Sequence, residues 1–80
     1  MRLLITGGLG FIGFNFLTRI ANSKLADHIV VVDKVTYAAV PWLREKTAFI
    51  EKVGAQLITG DLNEIDLVSL IQSNGIDRIV

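Results

Sequence analysis

The sequence predicts an α/β fold: a parallel sheet with helices on both faces, in the order βαβαβαβ. Three observations carry this. The runs Leu3-Leu4-Ile5 and Ile29-Val30-Val31-Val32 are apolar on successive residues, as strands covered on both faces must be. Helix-like segments with 3–4-residue apolar spacing alternate with these runs. The first strand and first helix are joined by a turn whose glycines Gly7, Gly10 and Gly13 stand three apart. Strands alternating with helices imply right-handed crossovers and a parallel sheet.

The first strand runs from Arg2 to Thr6 and ends at Gly7-Gly8. From Phe11 the pattern turns helical. Ile12, Phe16 and Ile20 lie four apart, with Gly13 and Leu17 on the neighbouring row, and Asn22-Ser23 ends the helix. Gly13 on the buried side would let this helix approach the sheet closely. The β-branched run from Ile29 is the clearest strand, closed by Asp33. His28 reads as a polar residue at that strand's entrance. Residues 34–41 form a loop.

Residues 42–53 suit a second helix, with Leu43, Ala48, Phe49, Ile50 and Val53 apolar, Pro41 in its first turn and Gly54 at its C-terminal cap. Gln56 to Thr59 is a third strand, ended by Gly60-Asp61. Asn63 is the expected N-cap of a third helix, with Glu64 and Asp66 in its first turn. Its apolar face is either Ile65, Val68 and Ile71 or Leu67, Leu70 and Ile71, and Gly75 is its stop. Asp77 to Val80 begins a fourth strand. The expected strand order is 3-2-1-4.

Eighty residues are enough for one small domain. Half of them are hydrophobic and the mean hydropathy is +0.53, which suits a doubly covered sheet. Lys+Arg and Asp+Glu are equal at 8 each, so the basic footprint of a nucleic-acid binder is missing and no nucleic-acid partner is expected. There is no cysteine and a single histidine, so thiolate chemistry is excluded and no metal site is expected. Arg2 followed by the uncharged stretch Leu3 to Thr18 has the outline of a targeting segment. Its four glycines and Asn15 argue against that, and the run falls short of the roughly 20 apolar residues of a membrane span. No membrane partner is expected.

The glycine turn carries the chemistry. A backbone that approaches a diphosphate closely needs residues without a Cβ. The helix that follows offers unpaired N–H groups and its positive dipole end to that diphosphate. Glycine spacing alone is weak evidence. Here a strand precedes it, a helix follows, and an acid, Asp33, stands 20 positions beyond Gly13 at the end of the second strand. A carboxylate there accepts the ribose hydroxyls of an adenosine and repels a 2′-phosphate, which predicts NAD rather than NADP. The alternative for Asp33 is a solvated strand-ending acid. Lys34 either approaches the 2′ side or is simply solvated. Asp61 ends the third strand on the same sheet edge, and either hydrogen-bonds the adenine amino group or caps the third helix just before Asn63. Tyr37 is the only tyrosine and Pro41 stands four beyond it, so these 80 residues hold no Tyr-x-x-x-Lys pair and no complete catalytic set.

Thr6 to Gly13 resembles the TGGxGFIG signature of the extended short-chain dehydrogenase/reductase family, the NAD-dependent epimerases and dehydratases of nucleotide sugars. The likeness extends through Asp33 and Gly60-Asp61-Leu62. Residues 31–38 further resemble the second-strand segment of the dTDP-glucose 4,6-dehydratases within that family. Phe14 stands where the family often has serine, and Ala39 where the dehydratases usually have glycine. Residues 40–56 depart from the dehydratase pattern.

The resemblance implies a Rossmann-type domain of which residues 1–80 are the N-terminal part, with catalytic and substrate portions elsewhere. It implies diphosphate contacts from Phe11 and Ile12 and ribose contact from Asp33. Lys34, Val35 and Thr36 would line that side, with Asp61 and Leu62 at the adenine. It implies a nucleotide-sugar substrate oxidised transiently at C4, a homodimer in the intact enzyme, and a cytoplasmic location. Three readings fit: a dTDP-glucose 4,6-dehydratase-like enzyme, a UDP-sugar 4-epimerase-like enzyme, and a non-catalytic dinucleotide sensor built on the same head.

Overall fold

The computed structural model describes residues 1–34 and 42–80. The loop and Pro41 readings therefore fall largely outside the described residues, as do Val35 and Thr36. The elements are β1 (Arg2–Thr6), α1 (Phe11–Ser23), β2 (His28–Asp33), α2 (Leu43–Lys52), β3 (Gln56–Thr59), α3 (Leu67–Asn74) and β4 (Arg78–Ile79). The four strands form one parallel sheet in the order β3-β2-β1-β4, as expected. Register pairs Arg2 with His28 and Thr6 with Val32, so β1 and β2 run level over five positions. Asp33 is level with Thr59 on the other side.

Strand periodicity sorts the core into two layers. Leu3, Ile5, Ile29 and Val31 point to one face and cluster with Leu17 of α1, Ile50 of α2 and Leu9. Leu4, Val30 and Val32 point to the other, against Leu67, Leu70 and Ile71 of α3 and Ile65 before it. Helices thus cover both faces, which is why β1 and β2 read as unbroken apolar runs. No helix among the described residues is long and apolar enough to cross a membrane.

Two helix details differ from the expectation, and a third settles an alternative. On α1 the buried row is that of Leu17, whereas Ile12 and the preceding Phe11 are each 82% exposed. The helix starts at Phe11, beyond the end of β1, and the residues packed against the core begin at Phe14, with Phe16 and Ile20 following. Asn63 is not the cap of α3. The N-cap is Asp66, whose carboxylate accepts the Ser69 N–H at 3.1 Å, and residues 62–64 form a separate turn. The apolar face of α3 is Leu67, Leu70 and Ile71, while Val68 is exposed. Trp42, at the start of α2, is exposed. Gly54 and Gly75 end α2 and α3 with positive φ, as read from sequence. His28, first residue of β2, meets the side chain of Asn74 at 3.1 Å.

Candidate functional site

Parallel strands place their C-terminal ends on one edge, and ligands of open α/β sheets sit outside that edge. Here the edge carries Thr6, Asp33 and Thr59, followed by the glycine turn, Lys34 and Gly60-Asp61. The chain is stitched there by backbone bonds. Gly7 N–H reaches Val32 O at 2.8 Å, and Gly60 N–H reaches Asp33 O at 3.0 Å. Thr6 donates to Val80 O from both its N–H and its hydroxyl, at 2.9 and 2.8 Å.

The turn has steric reasons for its glycines. Gly7 has φ +67°, a conformation that favours glycine, and a Cβ added there would meet no protein atom within 4 Å. That position faces open space. Gly13 lies against the turn itself: its Cβ would stand 2.3 Å from Gly7 O. The close approach expected between α1 and the sheet is thus an approach to the Gly7-Gly8 backbone. Gly8, not singled out from the sequence, is required as well, because its Cβ would meet Val31 Cγ1 at 2.3 Å. Gly10 is the N-cap of α1, in extended conformation and with no side-chain cap. The first intrahelical bond runs from Phe14 N–H to Gly10 O. The N–H groups of Phe11, Ile12 and Gly13 precede it and are those a helix leaves unpaired.

Two open depressions flank the turn. One, of about 420 Å³, is lined by Gly7, Val32, Asp33, Lys34, Gly60, Asp61, Leu62 and Asn63. The other, of about 470 Å³, lies over Gly10, Phe11, Ile12 and Gly13, with Phe16 and Val80 on its walls. Gly7 borders both. The structure therefore brings Asp33, Lys34, Asp61 and Leu62 to one hollow, and Gly10, Phe11, Ile12 and Gly13 to its neighbour.

Asp33 is half-buried, and its Oδ2 accepts the backbone N–H of Leu9 at 2.8 Å. Its Oδ1 has no hydrogen bond among the described residues. Lys34 is exposed and lies 3.4 Å from Asp61 Oδ2. Asp61 Oδ1 accepts the Asn63 N–H at 2.8 Å, so this carboxylate caps the turn at 62–64 rather than the third helix, whose cap is Asp66. The Asn63 N–H, and secondarily the Lys34 ammonium, hold the Asp61 carboxyl below its ordinary range.

Leu9 is the residue that sequence reasoning missed. Its side chain is fully buried in the α1–α2 core layer. Its N–H goes to Asp33 and its C=O accepts Lys46 Nζ of α2 at 2.8 Å. An apolar side chain amid glycines was the available signal.

Comparison with known proteins matches these features to one family. Residues 3–80 match the model of the NAD dependent epimerase/dehydratase family. A dTDP-glucose 4,6-dehydratase of Mycobacterium tuberculosis is 42% identical over 69 residues, covering 86% of this chain and 20% of the relative. The low-salt glycan biosynthesis protein Agl12 of Haloferax volcanii is 33% identical over 69 residues, covering 85% of this chain and 21% of its own length. The chain thus spans about a fifth of the length of these curated relatives. Among solved structures, dTDP-glucose 4,6-dehydratase of Bacillus anthracis in complex with NAD superposes with a TM-score of 0.79. Its sequence identity is 26%, and the match covers 99% of this chain and 25% of that one. MoeE5 in complex with UDP-glucose and NAD gives a TM-score of 0.66 at 26% identity, covering 99% and 21%. The sheet order, the glycine turn and the family match over nearly every residue agree: the chain belongs to the NAD dependent epimerase/dehydratase family.

Proposed function

We infer that this chain binds NAD and forms the cofactor-binding portion of a nucleotide-sugar dehydratase of the dTDP-glucose 4,6-dehydratase type. The observation that carries the reading is the place of Asp33. Its carboxylate is fastened to the glycine turn through Leu9 by one oxygen, the other having no hydrogen bond among the described residues, and it lines the hollow that also holds Asp61. The donor set fits a dinucleotide. Gly7 and Gly10 leave the backbone bare, and the leading N–H groups of α1 at Phe11 and Ile12 suit a diphosphate. Gly13 lets α1 begin directly against that turn.

In this reading Asp33 takes the adenosine ribose hydroxyls, and Lys34 lines the same side. Asp61 and Leu62 lie against the adenine. An ionised carboxylate offers about four acceptor positions, and Leu9 uses one, so Asp33 retains capacity for both hydroxyls. A 2′-phosphate would meet that charge at close range, hence the preference for NAD.

When bound, NAD supplies reversible hydride acceptance, which serves transient oxidation of the sugar at C4. This chain's residues bind and orient; the acid–base groups of the reaction belong to the remaining length of the relatives. From the family resemblance we also carry over a homodimeric whole enzyme and a cytoplasmic location. The balanced charge supports a small-molecule rather than a nucleic-acid partner. A second reading, a UDP-sugar 4-epimerase, is favoured by one observation: the neighbour MoeE5 is a complex with UDP-glucose.

Calorimetric titration with NAD and NADP tests the cofactor reading. Tighter binding of NAD is expected, and tighter binding of NADP overturns it. Competition between dTDP-glucose and UDP-glucose in the whole enzyme separates the two substrate readings.

A further inference from the structure

Leu9 stands between two charged side chains from different elements. Asp33, at the end of β2, accepts its N–H at 2.8 Å, and Lys46, in α2, donates to its C=O at 2.8 Å. Both bonds are part-buried, where a charge-assisted hydrogen bond is stronger than in open water. Lys46 has a second reason to stay in place. Its ammonium lies 5.3 Å from the ring centroid of Phe14, and that ring meets Phe49 edge-on at 5.4 Å. The stem of Lys46 is therefore held between α1 and α2 with its charge turned inward onto the glycine turn. The proposed diphosphate and ribose contacts do not include it.

We propose that Lys46 is a positioning residue for the dinucleotide site, acting through the Leu9 peptide on Asp33. With both ends of that residue held, the turn presents Leu9 N–H to Asp33 and the carboxylate keeps one orientation toward the ribose. The same contact gives Phe14 its place: a large ring under the Lys46 cation replaces the small residue often found there in the family. The proposal rests on the NAD reading for its ligand, but the clamp itself is a property of the free protein.

The test uses the full chain with Lys46→Met, Lys46→Arg, Asp33→Ala and the double variant Lys46→Met/Asp33→Ala. Methionine keeps the apolar stem and loses the donor. Amide NMR of the free protein reads the Leu9 N–H and the Gly10 nitrogen, which shares a peptide group with the Leu9 carbonyl. Both resonances are expected to move in Lys46→Met and to return toward wild type in Lys46→Arg. NAD affinity is expected to fall on the order of tenfold in Lys46→Met, the loss of about one charge-assisted bond. It is expected to fall much less when Asp33 is already alanine. Unmoved resonances, unchanged affinity, or equal losses in both backgrounds overturn the proposal. Absence of NAD binding by the wild-type chain overturns the cofactor reading instead, and the amide resonances then decide the clamp.

Discussion

Asp33 Oδ2 and Leu9 N–H are 2.8 Å apart, joining the end of β2 to the middle of the glycine turn across 24 positions of sequence. The carboxylate is thus a structural partner of the turn as well as a candidate ligand for ribose. Asp33→Ala should lower stability by about 1 kcal/mol, since it leaves a part-buried N–H without its acceptor. Asp33→Asn retains an acceptor oxygen and should cost less. Both should weaken NAD binding and narrow its margin over NADP. Thermal denaturation together with titration against each dinucleotide checks this.

The glycines of the turn should separate by what their missing Cβ would meet. Gly13→Ala places a methyl 2.3 Å from the backbone oxygen of Gly7, which cannot move without opening the turn. A loss of roughly 1–3 kcal/mol, or failure to fold, is expected. At Gly10 the nearest atom is 3.3 Å away and the backbone is extended, so Gly10→Ala should fold. Gly10→Val should also fold but lose NAD by obstructing the diphosphate. Circular dichroism and calorimetry on the three variants distinguish the two kinds of loss.

Leu9 and Leu17 are equally buried, yet their truncation should have different consequences. Each change to alanine should cost about 2–5 kcal/mol through lost contact and the cavity left behind. Only Leu9→Ala should also reduce the NAD affinity of the molecules that remain folded, because it frees the turn from the core. Denaturant titration gives the stability, and affinity measured well below the midpoint gives the rest.

Acid should destabilise the protein through three carboxylates. Asp27 is held below its ordinary range by the N-terminal ammonium, 2.6 Å away. Asp61 is lowered chiefly by the Asn63 N–H, and Asp66 by the Ser69 N–H. A carboxyl lowered on folding stabilises above its unfolded value and loses that contribution as pH falls through the lower, folded one. Stability from these groups should be complete above about pH 5 and decline below about pH 4. Melting temperature against pH should show this slope, and it should flatten in Asp27→Asn/Asp61→Asn/Asp66→Asn.

The parts of the structure that depend on short-range pattern were legible in the sequence. Consecutive apolar residues at Ile29 to Val32 announced a doubly covered strand, and Gly54 and Gly75 marked helix ends. The gathering of Asp33 and Asp61 at one edge followed from the parallel order, because strand ends share an edge whatever the loops do. What was hidden depended on where an element sits in space. Ile12 continues the apolar row of α1 in sequence, but α1 begins beyond the end of β1 and the residues packed against the core begin at Phe14. Asn63 has the chemistry of a cap, yet Asp61 first folds residues 62–64 into a turn and hands the cap to Asp66. The partnership of Leu9 with Lys46 spans 37 positions and follows no local periodicity.

The burial of Leu9 also bears on motion. Surface loops that bind ligands usually open locally at low free energy, well before the domain unfolds. This turn has a side chain in the same layer as Leu3, Ile5 and Val31, so it cannot swing away without exposing part of the core. Its hydrogen-bonded amides, those of Gly7, Leu9 and Gly10, should exchange with solvent deuterium on the slow timescale of the central strands, and the cofactor would meet a rigid seat rather than one that forms around it.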